Sequence, residues 1–126
     1  MFTGKKTCEV VLVSDSGFLQ GVFKRVFSKS EYIELTHIFK DMEEMEDPEN
    51  SFRIKKVNWI IISLLNHQKA SRKVEAFIGN NLTDHTSVML YSPDRDQLKI
   101  MKNHKPAIRK EATSVEDLYS ILLEKN

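Results

Sequence analysis

"VNWIIISLLNH", residues 57–67, is the stretch on which the reading of this chain turns. Its apolar run, Val57 to Leu65, is broken only by Asn58 and Ser63. A bilayer span needs about 20 apolar residues, so the run is too short for one. Its length suits a strand buried on both faces, the kind found at the centre of an α/β sheet. Ser63 then falls at the carboxyl end of that strand, where open parallel sheets gather ligands and chemistry.

Working toward the N-terminus, Cys8 to Val13 ("CEVVLV") is a second buried strand, closed by the turn residues Ser14-Asp15-Ser16-Gly17. Phe18, Leu19, Val22, Phe23, Val26 and Phe27 follow at helical spacing as one apolar stripe. Tyr32 to Ile38 fits another strand. Met42 and Met45 mark a brief acidic helix that ends at Asp47-Pro48-Glu49-Asn50. Toward the C-terminus, Ala70, Val74, Phe77 and Ile78 predict a helix stopped by Gly79-Asn80-Asn81. Ser87 to Tyr91 reads as a fourth strand. Asp94 to His104 reads as a charged helix with Leu98 and Met101 inward, and Pro106 to Arg109 as a short fifth strand. Thr113-x-x-Glu116 has the form of a capping box for a last helix carrying Val115, Leu118, Tyr119 and Leu122.

Alternating strands and helices imply right-handed crossovers and a parallel sheet. The expected fold is therefore α/β, a flavodoxin-like three-layer sandwich with a five-stranded parallel sheet of order 2-1-3-4-5 and five helices. With 126 residues, the chain is read as one domain, 1–126. Its 19 basic and 18 acidic side chains leave a net charge of +1, which gives no global case for nucleic acid or membrane binding. The single Cys8 cannot form an internal disulfide, and Met1 to Thr7 lacks a signal-peptide pattern, so a cytoplasmic location is expected.

At the carboxyl ends of these strands stand Ser14 and Asp15, Ser63, Ser92 and Lys110, and with this element order and these positions the chain resembles a response-regulator receiver domain of the CheY-like kind, over essentially its whole length. In that family the first strand ends in an acidic pair that holds Mg²⁺, the third in an aspartate that accepts a phosphoryl group, the fourth in Ser or Thr and the fifth in Lys. Here "VLVSDSGFL" places Ser14 and Asp15, "WIIISLL" Ser63, "VMLYSPD" Ser92, and "AIRKEATSVEDL" Lys110 at those positions. Asp15, Ser92 and Lys110 match, whereas Ser14 and Ser63 stand where carboxylates are required. The resemblance thus implies a pseudo-receiver that lacks the phosphoacceptor aspartate. "KEATSVEDLYSIL" looks most like receivers of the NarL/LuxR type.

The chemistry agrees with that implication. Mg²⁺ is bound through one or two carboxylates with waters and phosphate, and one remaining carboxylate is a poor anchor. A serine hydroxyl needs a neighbouring base before it attacks phosphorus, and Asp15 is the only candidate in sequence. Asp15 and Lys110 are expected to approach each other as a fixed pair. Each position also has a plainer reading. Ser63 ends a strand, Ser14 is a turn residue, and Asp15 is an acid favoured at a helix start.

Between Ser92 and Lys110 the segment is about one helical turn shorter than the family's. Arg95, Lys99, Lys102, Lys105 and Arg109 make it basic. Its plain reading is a solvated face; the functional one is an interaction face of Arg95, Lys99, Lys102 and Arg109 with Tyr119. His37, His67, His85 and His104 share no ligand spacing, and no P-loop or G-x-G-x-x-G is present. No metal, cofactor or catalytic residue is expected.

The function expected is a phosphorylation-independent regulatory module that binds a protein partner or a second copy as a homodimer, in signal transduction or transcription control. DNA would be reached only through an output domain not present in these residues, and no membrane contact is expected. The alternative is a small-molecule or nucleotide sensor using the degenerate cleft. A phosphocarrier of the phosphotransferase IIB type would need a nucleophile after the first strand, where only Ser14 and Ser16 stand.

Overall fold

In the computed structural model, which describes residues 8–50, 54, 57–64, 76, 86–102, 105–106, 108–112 and 114–125, the opening stretch forms strand β3, Trp59–Ser63, buried throughout. It pairs in parallel with β1 (Cys8–Ser14) on one side and β4 (Ser87–Ser92) on the other. Strand β2 (Ile33–Phe39) lies outside β1, also parallel. The order of this half, 2-1-3-4, is as expected.

The other half differs. Instead of a five-stranded parallel sheet with five helices, the protein has a six-stranded mixed sheet of order 2-1-3-4-5-6, with three α-helices among the described residues. Residues Gln97–Met101, expected in a helix, form strand β5, antiparallel to β4, and β6 (Ile108–Glu111) is antiparallel to β5.

The cause is local. Pro93–Arg95 make one turn of 3₁₀ helix, and Asp96 follows at φ 51°, ψ 39°, in the left-handed region that Asp tolerates better than most residues. That reverses the chain, and Ser92 pairs with Gln97 across the loop. Beyond it, Leu98 and Ile100 are buried while Gln97 is exposed and Lys99 and Met101 are half-buried, a strand's period of two. Leu98 and Met101 also share a helical face, so the pattern alone allowed both structures.

Helix α1 (Gly17–Phe27) starts from Ser16, whose Oγ accepts the Leu19 N–H at 3.2 Å. Phe23 and Phe27 are its buried anchors, but Phe18, read as part of the stripe, is 79% exposed. Helix α2 (Met42–Glu46) is capped by Asp41 and buries Met42 and Met45. Helix α3 (Val115–Lys125) begins one residue later than the expected box. Asp117 N–H donates to Ser114 Oγ, and Ser114 N–H donates to Asp117 Oδ2. The helix read over Ala70–Ile78 lies outside the described residues, Ala76 apart.

The sheet separates two apolar clusters. One face carries Leu12, Ile61, Met89, Leu98 and Ile100 beneath α1 and α3, and the other carries Val11, Val13, Ile60 and Ile62 beneath α2. Phe27 and Tyr119 join α1 to α3 with ring centroids 5.7 Å apart. No helix among the described residues is long and apolar enough to cross a membrane.

Asn58 ties three strands at their amino ends. Its Oδ1 accepts the Glu9 N–H at 2.8 Å, its own N–H donates to the Glu9 carbonyl, and its carbonyl accepts the Ser87 N–H. Asn58→Ala removes only the side-chain bond and is expected to cost about 1–2 kcal/mol, measured by urea unfolding.

Candidate functional site

Ser14 and Ser63 face each other in the β1–β3 register and are both buried. They stand two residues beyond Leu12 and Ile61, so the pleat puts both hydroxyls on the face covered by α1. Ser14 acts as a turn residue: its Oγ accepts the Ser16 N–H at 3.3 Å, and its carbonyl accepts Gln20 Nε2 at 2.7 Å. These bonds fix the entry into α1. Asp15 follows on the exposed side of the turn.

Ser63 has a different status. Its side chain is 1% exposed, and its Oγ has no hydrogen-bond partner among the described residues. A buried hydroxyl left unpaired costs about 1–3 kcal/mol. Strand termination alone does not explain it.

Ser92 closes the β4–β5 hairpin as the partner of Gln97. Lys110 lies on β6 opposite Leu98. Strands are about 4.8 Å apart, so β6 is four spacings, about 19 Å, from β1 and about 14 Å from β3. The expected Asp15–Lys110 pair is therefore not formed. The extra strand has moved the lysine one spacing further than the order 2-1-3-4-5 would.

The residues read as an interaction face also separate. Lys102 Nζ lies 5.7 Å from the Trp59 ring centroid, near the amino end of β3. Tyr119 packs on Phe27 within the α1–α3 contact. Arg95, Lys99 and Arg109 stay together, and with Lys110 they line an open depression of about 620 Å³ over the β4–β5–β6 half. Ser92, Asp96, Gln97 and Glu111 add polar groups to its lining, and Leu90 and Leu98 add apolar ones. Gln97, Lys99, Arg109 and Glu111 share one sheet face with Leu90 through the registers Leu90–Lys99–Arg109 and Ser92–Gln97–Glu111. Only the polar half of the alternation in 97–101 and 108–111 announced this surface, and a helical reading of 94–104 hid it.

Tyr91, next to Ser92, is buried beneath α3. Burial, and then the charges of Asp96 and Asp117, hold its phenol above the ordinary value.

No family model matches the chain, and neither a curated protein nor a solved structure matches it.

Two outcomes are expected. Ser63→Ala is neutral or stabilising by up to about 1 kcal/mol, whereas Ser63→Asp, which buries a charge, costs about 3 kcal/mol or more; chemical denaturation of both variants reads this directly. For Tyr91 the folded pKa exceeds the unfolded one, so the stability it supplies is present below about pH 10 and is lost as pH rises through the folded value. Urea unfolding between about pH 9 and 11 should show a steeper loss in the wild type than in Tyr91→Phe.

Proposed function

We propose that this chain is a regulatory protein-interaction module of the receiver kind that signals without phosphorylation. The observation that carries this reading is the environment of Ser63. At the carboxyl edge of the parallel half, where a receiver presents its acceptor carboxylate, stands a hydroxyl enclosed on all sides. A phosphoryl donor must reach the acceptor oxygen, and a 1% exposed side chain offers no approach. Nor does Lys110 reach a phosphoryl group there, since a lysine side chain spans less than the roughly 14 Å between β3 and β6.

Regulation in such a module runs through its surfaces. Its partner is a protein or a second copy of the chain, its setting is the cytoplasm, and DNA is reached only through a separate output domain. The antiparallel β5–β6 half is the surface in which this sheet differs most from the parallel one expected. It also holds the basic depression.

A second reading is favoured by one observation, the unpartnered Ser63 hydroxyl close to the amino end of α1. A small anionic metabolite or nucleotide bound on the open side of this turn would meet the N–H groups of the helix start, and only a local opening of the strand edge would bring the buried hydroxyl within its reach. Ligands that bind only the folded state raise the melting temperature, so a thermal-shift panel separates the two readings.

The decisive experiment is an amide NMR titration with Mg²⁺ and then beryllofluoride. The module reading expects unshifted signals at Asp15, Ser63, Ser92 and Lys110. Saturable shifts at those residues would restore phosphoryl chemistry and overturn it.

A further inference from the structure

The near-zero net charge conceals a strong separation of charge. Residues 41–50 contain Asp41, Glu43, Glu44, Glu46, Asp47 and Glu49 and no basic side chain. Residues 95–110 contain Arg95, Lys99, Lys102, Lys105, Arg109 and Lys110 against the single acid Asp96.

The fold turns each run into a surface. Helix α2 buries Met42 and Met45, which leaves Glu43, Glu46, Asp47 and Glu49 exposed. Local structure accounts for only part of this acidity. Asp41 caps the helix, and Glu44 Oε1 accepts the Lys40 N–H. Glu46, however, sits at the helix carboxyl end, where the dipole disfavours an acid, and no basic residue occupies the last turn.

On the basic side, Arg95, Lys99, Arg109 and Lys110 line the depression and outnumber the two acids in its lining, Asp96 and Glu111. The two surfaces lie toward different edges of the sheet. Strand β2, which leads into α2, and strand β6 are the opposite edges of the sheet, five spacings or about 24 Å apart. They do share a face, because Met42 and Met45 pack in the same cluster that Leu90 joins, and Lys99 and Arg109 project on the Leu90 side.

We propose that the basic depression binds the acidic α2 segment of a second copy of this chain. With complementary patches at opposite ends of one face, a two-fold axis brings both into contact at once, acidic on basic and basic on acidic. Closed two-fold pairing is the commonest symmetry of such assemblies. The proposal names a partner for the interaction-module reading and rests on it in that respect alone. Failure of self-association would overturn the pairing and leave the phosphorylation-independent module standing, since the beryllofluoride titration tests that separately.

Sedimentation velocity of the full chain at low and high salt is the test, with two double variants, Glu43→Lys/Glu46→Lys and Lys99→Glu/Arg109→Glu. The expected result is a wild-type dimer whose affinity falls about tenfold or more between 50 and 500 mM NaCl, as screened charge pairs require. Each variant alone should be monomeric, and an equal mixture of the two should form a heterodimer, because the reversed patches complement each other. Recovery on mixing also excludes misfolding as the cause of the single losses. A wild type that stays monomeric at 50 mM NaCl, a dimer indifferent to salt and to both variants, or no recovery on mixing would overturn the proposal. So would a monomer that binds polyglutamate or a short DNA duplex in the depression, giving that surface to another partner.

Discussion

Everything in this molecule hangs on the pairing of β1 with β3. Val10 to Ser14 lie beside Trp59 to Ser63 residue for residue, and both strands are covered on both faces. Side chains alternating from this pair supply both apolar clusters, so one hydrogen-bonded ladder organises two cores. Burial of apolar surface at about 25 cal/mol per Å² drives the assembly, and the ladder satisfies the backbone groups that burial would otherwise strand. Asn58 extends the constraint by bonding both to the start of β1 and to the start of β4.

The same constraint explains the two serines. A residue at the carboxyl end of a central strand is enclosed by whatever crosses above it, and here Ser14 and Ser63 are both buried on the sheet face that carries α1 and α3. Ser14 is answered by the Ser16 N–H, while Ser63 is answered by nothing among the described residues. Two neutral hydroxyls can be enclosed at a cost of a few kcal/mol, whereas carboxylates in their place would demand a cation or a shifted pKa. The enclosure and the residue type therefore belong together.

Where the sheet leaves its parallel half, apolar burial continues on one face through Leu98 and Ile100, and charge occupies the other. Strand β5 has neighbours on both sides, but its Lys99 side and the β6 residues Arg109 and Glu111 remain polar, so the last two strands are built with one wet face. The acidic α2 at the far edge is the counterpart. A chain whose total charge nearly cancels thus carries one acidic run and one basic run in different parts of its sheet.

The central strands, α1, the Met42/Met45 anchors and the last helix could all be read from residue pattern alone, because each carries an unbroken periodicity and a local start or stop. Leu98 and the residues around it could not. Their spacing fits a helix and a strand equally, and the choice was made by the left-handed turn at Asp96 and by the room beside β4. The distance from Asp15 to Lys110 was decided by that same choice, since one added strand moves every residue beyond it by a full spacing. The sequence by itself determined the identity of the groups at the sheet's carboxyl edge, the two serines Ser14 and Ser63 beside Asp15, and the acidic run of residues 41–50 and the basic run of residues 95–110. Only the tertiary structure decided which of them meet, because strand order is set by long-range packing that no local pattern encodes.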